Sequence, residues 1–265
     1  MTSRRHVLAC LPAAAASLAL PSLAGTAQTR SLADPMRLVA DDALVDSGLA
    51  AQLLLAFGHD TGIAIDLRHG PASALLEGLR LGEHDATLTN APTLEAALEQ
   101  QGLARDRRRV ASTDFVLVGP LALLKPLAAG SDAALALTRL AQVQAPFMTR
   151  ADGSGTHLAE QALWRAAQTA PQAPWYLNAA PGGTLLAQAR AANACAVVER
   201  GVWLAHGGGA GYGVLVQGDA RLAVDVHLMR SFHINHPSGQ LFTDWVAGRS
   251  GRKAVAAVRG YRAAA

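Results

Sequence analysis

Residues 150–157 read Arg-Ala-Asp-Gly-Ser-Gly-Thr-His and lie between a short apolar run and a helical pattern. The preceding residues 146–149 predict a strand, and from Leu158 onward apolar residues recur at helical spacing. A Gly/Ser turn that opens a helix leaves backbone N–H groups without intrahelical partners, and the helix dipole adds partial positive charge there. Arg150 lies at the same junction. The stretch therefore predicts an α/β unit whose turn binds a small anion.

The rest of the chain alternates strand and helix patterns in the same way. Leu49, Leu53 and Phe57 recur at i, i+4 and i+8 and predict a helix. Strand candidates are apolar or alternating runs at residues 38–40, 63–67, 86–89, 115–118, 147–149, 195–198, 213–216 and 226–234. Helical patterns cover residues 73–81, 94–101, 133–144, 158–169, 185–192, 200–206, 242–247 and 253–262. This order predicts an α/β fold with largely parallel connections, in which ligands bind beyond the carboxyl ends of the strands.

Residues 1–24 predict an export signal rather than part of the fold. Arg4 and Arg5 precede an apolar, alanine-rich run, a pattern that resembles the twin-arginine type of signal. Cleavage is expected near residues 24–27. Pro12 and Pro21 bracket a segment that is too short and too rich in alanine for a transmembrane anchor. We therefore expect an exported protein.

Composition argues against a nucleic-acid partner. Loss of residues 1–24 removes two of the 23 Lys and Arg residues and no acid, so 21 basic residues face 20 acidic ones and the net charge falls from +3 to +1. The arginine run at 107–109 has no aromatic residue beside it, which predicts a solvated strand edge. Cys195 is the only cysteine after residue 24 and is flanked by apolar residues, which predicts a buried, inert thiol without a disulfide.

Several unusual segments occur in the same order as in the periplasmic tungstate-binding proteins of ABC transporters, which the chain resembles. They are Asp-Ser-Gly at 46–48, Asp-Thr-Gly-Ile at 60–63, Asn-Ala-Pro at 90–92, Asp-Phe-Val-Leu-Val-Gly-Pro at 114–120, the turn at 150–157, Pro-Trp-Tyr at 174–176, Gly-Gly-Thr-Leu at 182–185 and Glu-Arg-Gly at 199–201. The match extends over roughly residues 37–245.

The resemblance implies a type II periplasmic binding protein fold, with two α/β lobes that close on a ligand in the cleft between them. Lobe 1 would comprise residues 36–119 and 227–265, and lobe 2 would comprise residues 120–226. The resemblance also implies a periplasmic monomer without a cofactor, which delivers a small anionic ligand to a membrane permease. A ligand sensor, or a binding fold that no longer binds, is the alternative function.

Two segments depart from the resemblance: residues 70–73, Gly-Pro-Ala-Ser, where similar proteins carry a Gly-Thr-Gly-Gln-like loop, and residues 40–44. Similar proteins carry threonines and a serine after the first strand, whose hydroxyls and amides hold tungstate oxygens, whereas this chain has Ala-Asp-Asp-Ala-Leu at 40–44. Ionised carboxylates only accept hydrogen bonds, and each would repel a unit negative charge by about 4 kcal/mol at about 4 Å and intermediate dielectric. Three interpretations stay open: Asp41 and Asp42 cap the following helix, they line the cleft and favour an amine-bearing ligand, or the site binds little.

The predicted ligand-binding residues are Asp41, Asp42, Arg150, Ser154, Gly155, Thr156, Gly183 and Thr184. The Arg150 guanidinium suits oxyanion or carboxylate oxygens; otherwise it is a surface arginine paired with Asp152 or Glu160. Ser154 and Thr156 are N-cap candidates as well as ligand donors. His157 is expected to orient the turn or to line the pocket.

No enzymatic activity or metal site is predicted. The sequence around Ser154 lacks the glycines of a G-x-S-x-G nucleophile elbow, because Asp152 and Thr156 stand in their places. His227, His233 and His236 have no matching cluster of Asp, Glu or Cys, so they do not predict a metal site.

Overall fold

The computed structural model describes residues 28–264, in which strands and helices alternate. The strands are β1 (Gln28–Thr29), β2 (Met36–Asp41), β3 (Ile65–Gly70), β4 (Ala86–Thr89), β5 (Ala104–Pro120), β6 (Phe147–Thr149), β7 (Tyr176–Asn178), β8 (Ala196–Glu199), β9 (Tyr212–Val216), β10 (Ala223–Ser231), β11 (Ile234–Asn235) and β12 (Arg262–Ala263).

The helices are α1 (Asp42–Asp46), α2 (Leu49–Thr61), α3 (Ala72–Leu81), α4 (Pro92–Gln100), α5 (Leu124–Leu127), α6 (Ala133–Gln142), α7 (Gly155–Ala166), α8 (Leu185–Ala191), α9 (Arg200–His206), α10 (Pro237–Ala247) and α11 (Arg249–Ala256), with 3-10 turns at Leu121–Leu123 and Ala220–Leu222. Within residues 28–264, none of these helices has the length and apolar character needed to cross a membrane. The predicted export signal, residues 1–24, lies outside the described residues.

The two lobes share the long strand β5, and five strands of each lobe follow a corresponding order. In the first lobe the order is β3-β2-β4-β10-β5-β12, with β2 parallel to β3 and β4 and with β10 antiparallel. In the second lobe it is β7-β6-β8-β5-β9, where a parallel bridge between Phe147 and Cys195 joins β6 to the start of β8. Residues 104–114 of β5 pair with β10, and residues 115–120 pair with β8 and β9. The predicted α/β fold with two lobes is confirmed.

Each lobe has its own hydrophobic core. The first contains the fully buried Leu38, Leu53, Phe57, Leu88 and Phe242, and the second contains Phe115, Leu137, Phe147, Leu163 and Trp164. Burying one such side chain contributes about 1.5–3 kcal/mol. Because each core is complete within its lobe, the cleft between the lobes is free to be polar.

Helix α2 shows how the local sequence fixes an element. Leu49, Leu53 and Phe57, spaced for one helical face, are all fully buried, which confirms the predicted helix. The helix ends at Gly62, whose φ of +71° is the left-handed conformation that glycine adopts without strain. Its N–H donates to the carbonyl of Gly58 at 2.8 Å.

The C-terminal helix prediction was wrong beyond Ala256. Helix α11 ends there, and Arg262–Ala263 forms β12 against β5. Gly260 has a φ of +94° and packs against the backbone of Gly201, where an added Cβ would lie 3.0 Å away. This turn back toward the sheet brings Tyr261 into the space between the lobes.

Candidate functional site

Four polar side chains lie where strands of both lobes end at the cleft. Asp41 is the last residue of β2, Asn90 follows β4, Arg150 follows β6 and Glu199 is the last residue of β8. The strands run parallel within each lobe, so their carboxyl ends face the cleft, the usual ligand position in open α/β sheets. A helix begins after each strand end, and the first N–H groups of each helix have no intrahelical partner.

The Asp41 carboxylate accepts three backbone N–H groups from three helices. Its Oδ1 accepts from Ala43 at 3.1 Å, which makes Asp41 the N-cap of α1. Its Oδ2 accepts from Ala72 at 3.1 Å, the first residue of α3, and from Gly155 at 3.0 Å, the first residue of α7 in the opposite lobe. The side chain is fully buried. Asp41 therefore caps its helix, as the first interpretation has it, and the same carboxylate lies in the cleft, where it accepts amides of both lobes.

Burial raises the pKa of Asp41 to about 6, from an ordinary value of 3.8. The amide donors from Gly155 and Ala43 and the charge of Arg150 act in the opposite direction but only partly offset the burial. These donors stabilise the ionised form of the Asp41 carboxylate.

Arg150 is bound by acidic side chains of both lobes. Its Nε donates to Oδ2 of Asp152 at 2.7 Å, and its Nη2 donates to Oδ2 of Asp42 across the cleft at 2.8 Å. Asp42 also contacts Nδ1 of His69 at 2.6 Å. Burial opposes the charged form of Arg150, but the hydrogen bond and charge of Asp152 and the charge of Asp42 raise the pKa of the guanidinium. The predicted pair with Asp152 is present, and the partner in place of Glu160 is Asp42.

The turn before α7 is held by its own side chains. Asp152 Oδ1 accepts the N–H of Ser154 at 2.9 Å, and the Ser154 hydroxyl accepts the N–H of His157 at 3.3 Å, so Ser154 is the N-cap. The N–H of Gly153 donates to Nδ1 of His157 at 3.0 Å. His157 therefore orients the turn, as expected. Thr156, also buried, lines the cleft beside Arg150.

Gly155 allows the two lobes to approach closely. A Cβ at this position would lie 1.7 Å from Oδ1 of Asn90, well inside van der Waals contact. Only a residue without a side chain lets the first N–H of α7 reach Asp41. The backbone N–H of Gly155 thus joins the two lobes through Asp41, whereas a glycine at this position of the sequence predicts only a turn.

A second buried polar cluster, which the sequence interpretation did not assign to the site, lies beside Asp41. Nδ2 of Asn90 donates to Oε2 of Glu199 at 2.6 Å, and the Tyr261 hydroxyl contacts Oε1 of Glu199 and the hydroxyl of Ser47. Burial raises the pKa of Glu199 to about 7. Asn90 and Glu199 belong to segments that carry the resemblance, and their position at the ends of predicted strands is the signal that would have found them.

The lobes are in direct contact around these residues. Besides the Asp41 and Arg150 bonds, the N–H of Ser73 donates to the carbonyl of Gly153 at 3.1 Å across the cleft. The cavity left beside Arg150 and Thr156 has a volume of about 10 Å³, barely the space of one water molecule. Arg150 also borders an open hollow of about 410 Å³ that is lined by residues of the second lobe.

Of the two remaining predicted residues, Gly183 lies at this hollow and Thr184 lies beside it. Gly183 lines the open hollow together with Arg150 and Asp152. Thr184 caps α8, since its hydroxyl accepts the N–H of Ala187 at 3.3 Å. Asp41, Asp42, Arg150, Ser154, Gly155 and Thr156 come together in the cleft, whereas Thr184 faces its own helix.

His227 and His236 each have a polar partner, and Cys195 is buried. Nδ1 of His227 lies 2.7 Å from Oε2 of Glu95, and Nε2 of His236 lies 2.8 Å from the carbonyl oxygen of Asp34. Within residues 28–264, no group of three or more His, Cys, Asp or Glu residues is arranged to hold a metal ion. Cys195 is buried, and burial raises the pKa of its thiol to about 12, so it is protonated at neutral pH.

Two lobes of identical strand order, with polar strand ends meeting in a cleft, define the class of type II binding proteins. Residues 29–249 match the PBP superfamily domain. The chain is 30% identical to the tungstate-binding protein TupA of Peptoclostridium acidaminophilum over 221 residues, which cover 79% of this chain and 76% of the relative. The chain therefore belongs to the PBP superfamily and to the family within it that includes the tungstate-binding proteins.

Solved structures agree with this assignment. The tungstate ABC transporter protein of Geobacter sulfurreducens is 28% identical, with a TM-score of 0.72 over 85% of this chain and 99% of that one. The tungstate-binding protein TupA of Desulfovibrio alaskensis G20 is 25% identical, with a TM-score of 0.67 over 88% of this chain and all of the other. The resemblance found in the sequence is confirmed.

Proposed function

We propose that the protein is the periplasmic solute-binding component of an ABC transporter. It captures a small oxyanion of the tungstate and molybdate class between its lobes and delivers it to a membrane permease. The names of the similar proteins from P. acidaminophilum and G. sulfurreducens support this function. The action is binding and lobe closure, without a covalent step.

The observation that carries the proposal is the convergence of amide donors from both lobes on one oxygen. The N–H groups of Ala72 and Gly155 lie 3.1 and 3.0 Å from Oδ2 of Asp41, and this oxygen stands where an oxyanion oxygen would be bound. The N-termini of α3 and α7 favour negative charge there. The Arg150 guanidinium supplies the neighbouring positive charge. Closure of the lobes assembles all of these donors.

An amine-bearing ligand fits the cleft less well, although the sequence left it open. Both oxygens of Asp41 accept backbone amides, and both oxygens of Asp42 have cationic or imidazole partners in Arg150 and His69. Every oxygen of the two carboxylates therefore already has a partner within the protein. The donors that face the cleft are N–H groups, which bind anions.

Thermal unfolding of the chain from residue 28 onward tests the proposal. Tungstate and molybdate should raise the unfolding temperature more than sulfate or phosphate, and a ligand at 100 times its dissociation constant adds about 2.7 kcal/mol of stability. Arg150→Ala should abolish the shift. Arg165→Ala removes the same charge from an exposed position on α7 and is the control. Absence of a shift with every oxyanion at millimolar concentration would contradict the proposed function.

A further inference from the structure

Asp41 does more than a capping residue needs to do. One oxygen of its carboxylate, Oδ1, completes the N-cap of α1 by accepting the N–H of Ala43. The other oxygen bonds to the helix starts at Ala72 and Gly155, in different lobes and far apart in sequence. A side chain that served only as a cap would leave these two N–H groups free.

The space around Asp41 is filled by the chain itself. The carboxylate is fully buried, and the adjacent cavity of about 10 Å³ cannot hold a tetrahedral oxyanion. The nearby guanidinium of Arg150 is likewise occupied by Asp42 and Asp152. Groups of the protein thus bind the amides of Ala72 and Gly155 and two nitrogens of Arg150, and these bonds hold the lobes in contact.

We propose that the Asp41 carboxylate is an internal ligand of the cleft, which occupies the amides of Ala72 and Gly155, so that a free oxyanion binds only by displacing it. The proposal rests on the proposed function for the identity of the incoming anion. It makes Asp41 the residue that sets the affinity of the site, because every bound anion competes with a carboxylate tethered to the same cleft.

Asp41→Ser tests this directly, because serine keeps the N-cap of α1 while its short hydroxyl does not reach across to α3 and α7. Binding of sodium tungstate and sodium molybdate is measured by titration calorimetry in a buffer free of oxyanions. The variant should bind at least 100-fold more tightly than the wild type. Equal or weaker binding by the variant, beside a wild type that binds, would overturn the internal ligand and leave the proposed function intact.

A charge-matched control separates occupancy from simple repulsion. Asp46 lies at the other end of the same helix and makes no hydrogen bond to the amides of Ala72 or Gly155. Asp46→Asn removes the same negative charge and should change the affinity less than fivefold. A gain in Asp46→Asn equal to that in Asp41→Ser would show that net charge, and not occupation of the amides, sets the affinity.

Hydrogen exchange provides a measurement that needs no anion. In oxyanion-free buffer the amides of Ala72 and Gly155 should exchange at least tenfold faster in Asp41→Ser than in the wild type, and added tungstate should restore their protection. Equal rates would overturn the internal ligand. Faster exchange in a variant that binds no oxyanion would support the internal ligand and overturn the proposed function instead.

Asp41→Asn covers the case in which the serine variant does not fold. Asparagine keeps one acceptor oxygen and the capping geometry but has no charge, so its hold on the helix N-termini is weaker. It should bind tungstate at least tenfold more tightly than the wild type. An affinity equal to that of the wild type would count against the proposal.

Discussion

The two walls of the cleft are built differently. The second-lobe wall is a turn at residues 150–157 whose side chains mainly order its own backbone. It presents the Arg150 guanidinium and the first N–H of α7 to the opposite lobe. The first-lobe wall, at the end of β2, presents two carboxylates that fill those donors. One wall therefore supplies hydrogen-bond donors and positive charge, and the other supplies carboxylates. The comparison shows that residue types at one strand end decide which groups meet the donors of the opposite lobe.

Gly155→Ala should have the largest effect on the contact between the two walls. The added methyl group would overlap Oδ1 of Asn90, so the lobes would have to separate at this point. We expect a loss of about 3 kcal/mol of unfolding free energy, the upper end for overpacking, together with loss of anion binding. Urea denaturation and calorimetry measure the two effects.

Gly58→Ala is the matched control for that change. The position lies within α2, where the added Cβ would make an ordinary contact at 3.6 Å from the carbonyl oxygen of Ile63. Alanine is favoured over glycine in a helix interior by about 1 kcal/mol, so this variant should be at least as stable as the wild type. If Gly155→Ala proves equally harmless, the walls do not meet as tightly as the structure shows.

The second test concerns a buried acid confined to the second-lobe wall. Glu160 on α7 accepts hydrogen bonds from Nε1 of Trp164 at 3.0 Å and from the Tyr176 hydroxyl at 2.6 Å, and burial raises its pKa to about 7 from 4.5. Because the folded pKa is the higher one, the stability from the protonated form is complete below pH 4.5 and is lost as the pH rises through 7.

Glu160→Gln should remove this pH dependence. Relative to the wild type, its unfolding free energy should rise by about 2 kcal/mol between pH 5 and pH 8, since one pKa unit corresponds to about 1.4 kcal/mol. Comparing the variant with the wild type at each pH cancels the opposing contribution of His84, whose pKa burial lowers to about 4. Glu77→Gln on the exposed face of α3 is the control, and its difference from the wild type should stay constant over this range. A constant difference for Glu160→Gln as well would contradict the prediction.

The smallest expected effect is at the rim of the first-lobe wall. His69 contacts Asp42 at 2.6 Å, but 62% of its side chain is exposed, and exposed pairs contribute about 0–1 kcal/mol. His69→Gln should therefore change the unfolding free energy by less than about 0.5 kcal/mol, as measured by urea denaturation. A larger change would mean that His69, and not Arg150 alone, fixes Asp42 in the cleft.

Much of the fold followed from local patterns. The buried face of α2, the turn that opens α7 and the alternation of strands and helices are visible in the sequence because spacing and turn residues act over a few positions. The full length of β5 was missed, because its first part carries charged residues that pair with β10 and interrupt the apolar pattern. The turn at Gly260 was also missed, because its packing partner Gly201 lies about 60 positions earlier.

The local sequence encodes only part of the candidate site. Arg150, Ser154, Gly155 and Thr156 form one continuous turn, so their proximity is encoded locally. Asn90, Glu199 and Tyr261 come from three distant segments. Asn90 and Tyr261 belong to the same lobe as Asp41, whereas Glu199 lies across the cleft, so their proximity depends on the tertiary fold.

The sequence by itself determined the family, the α/β class, the turn that opens α7 and the unusual presence of two aspartates at residues 41 and 42. These features depend on residue types and short spacings. Only the tertiary structure decided what the aspartates do. Asp41 reaches amides in both lobes and Asp42 reaches Arg150, because hydrogen bonds between distant strand ends depend on how two separately folded lobes meet.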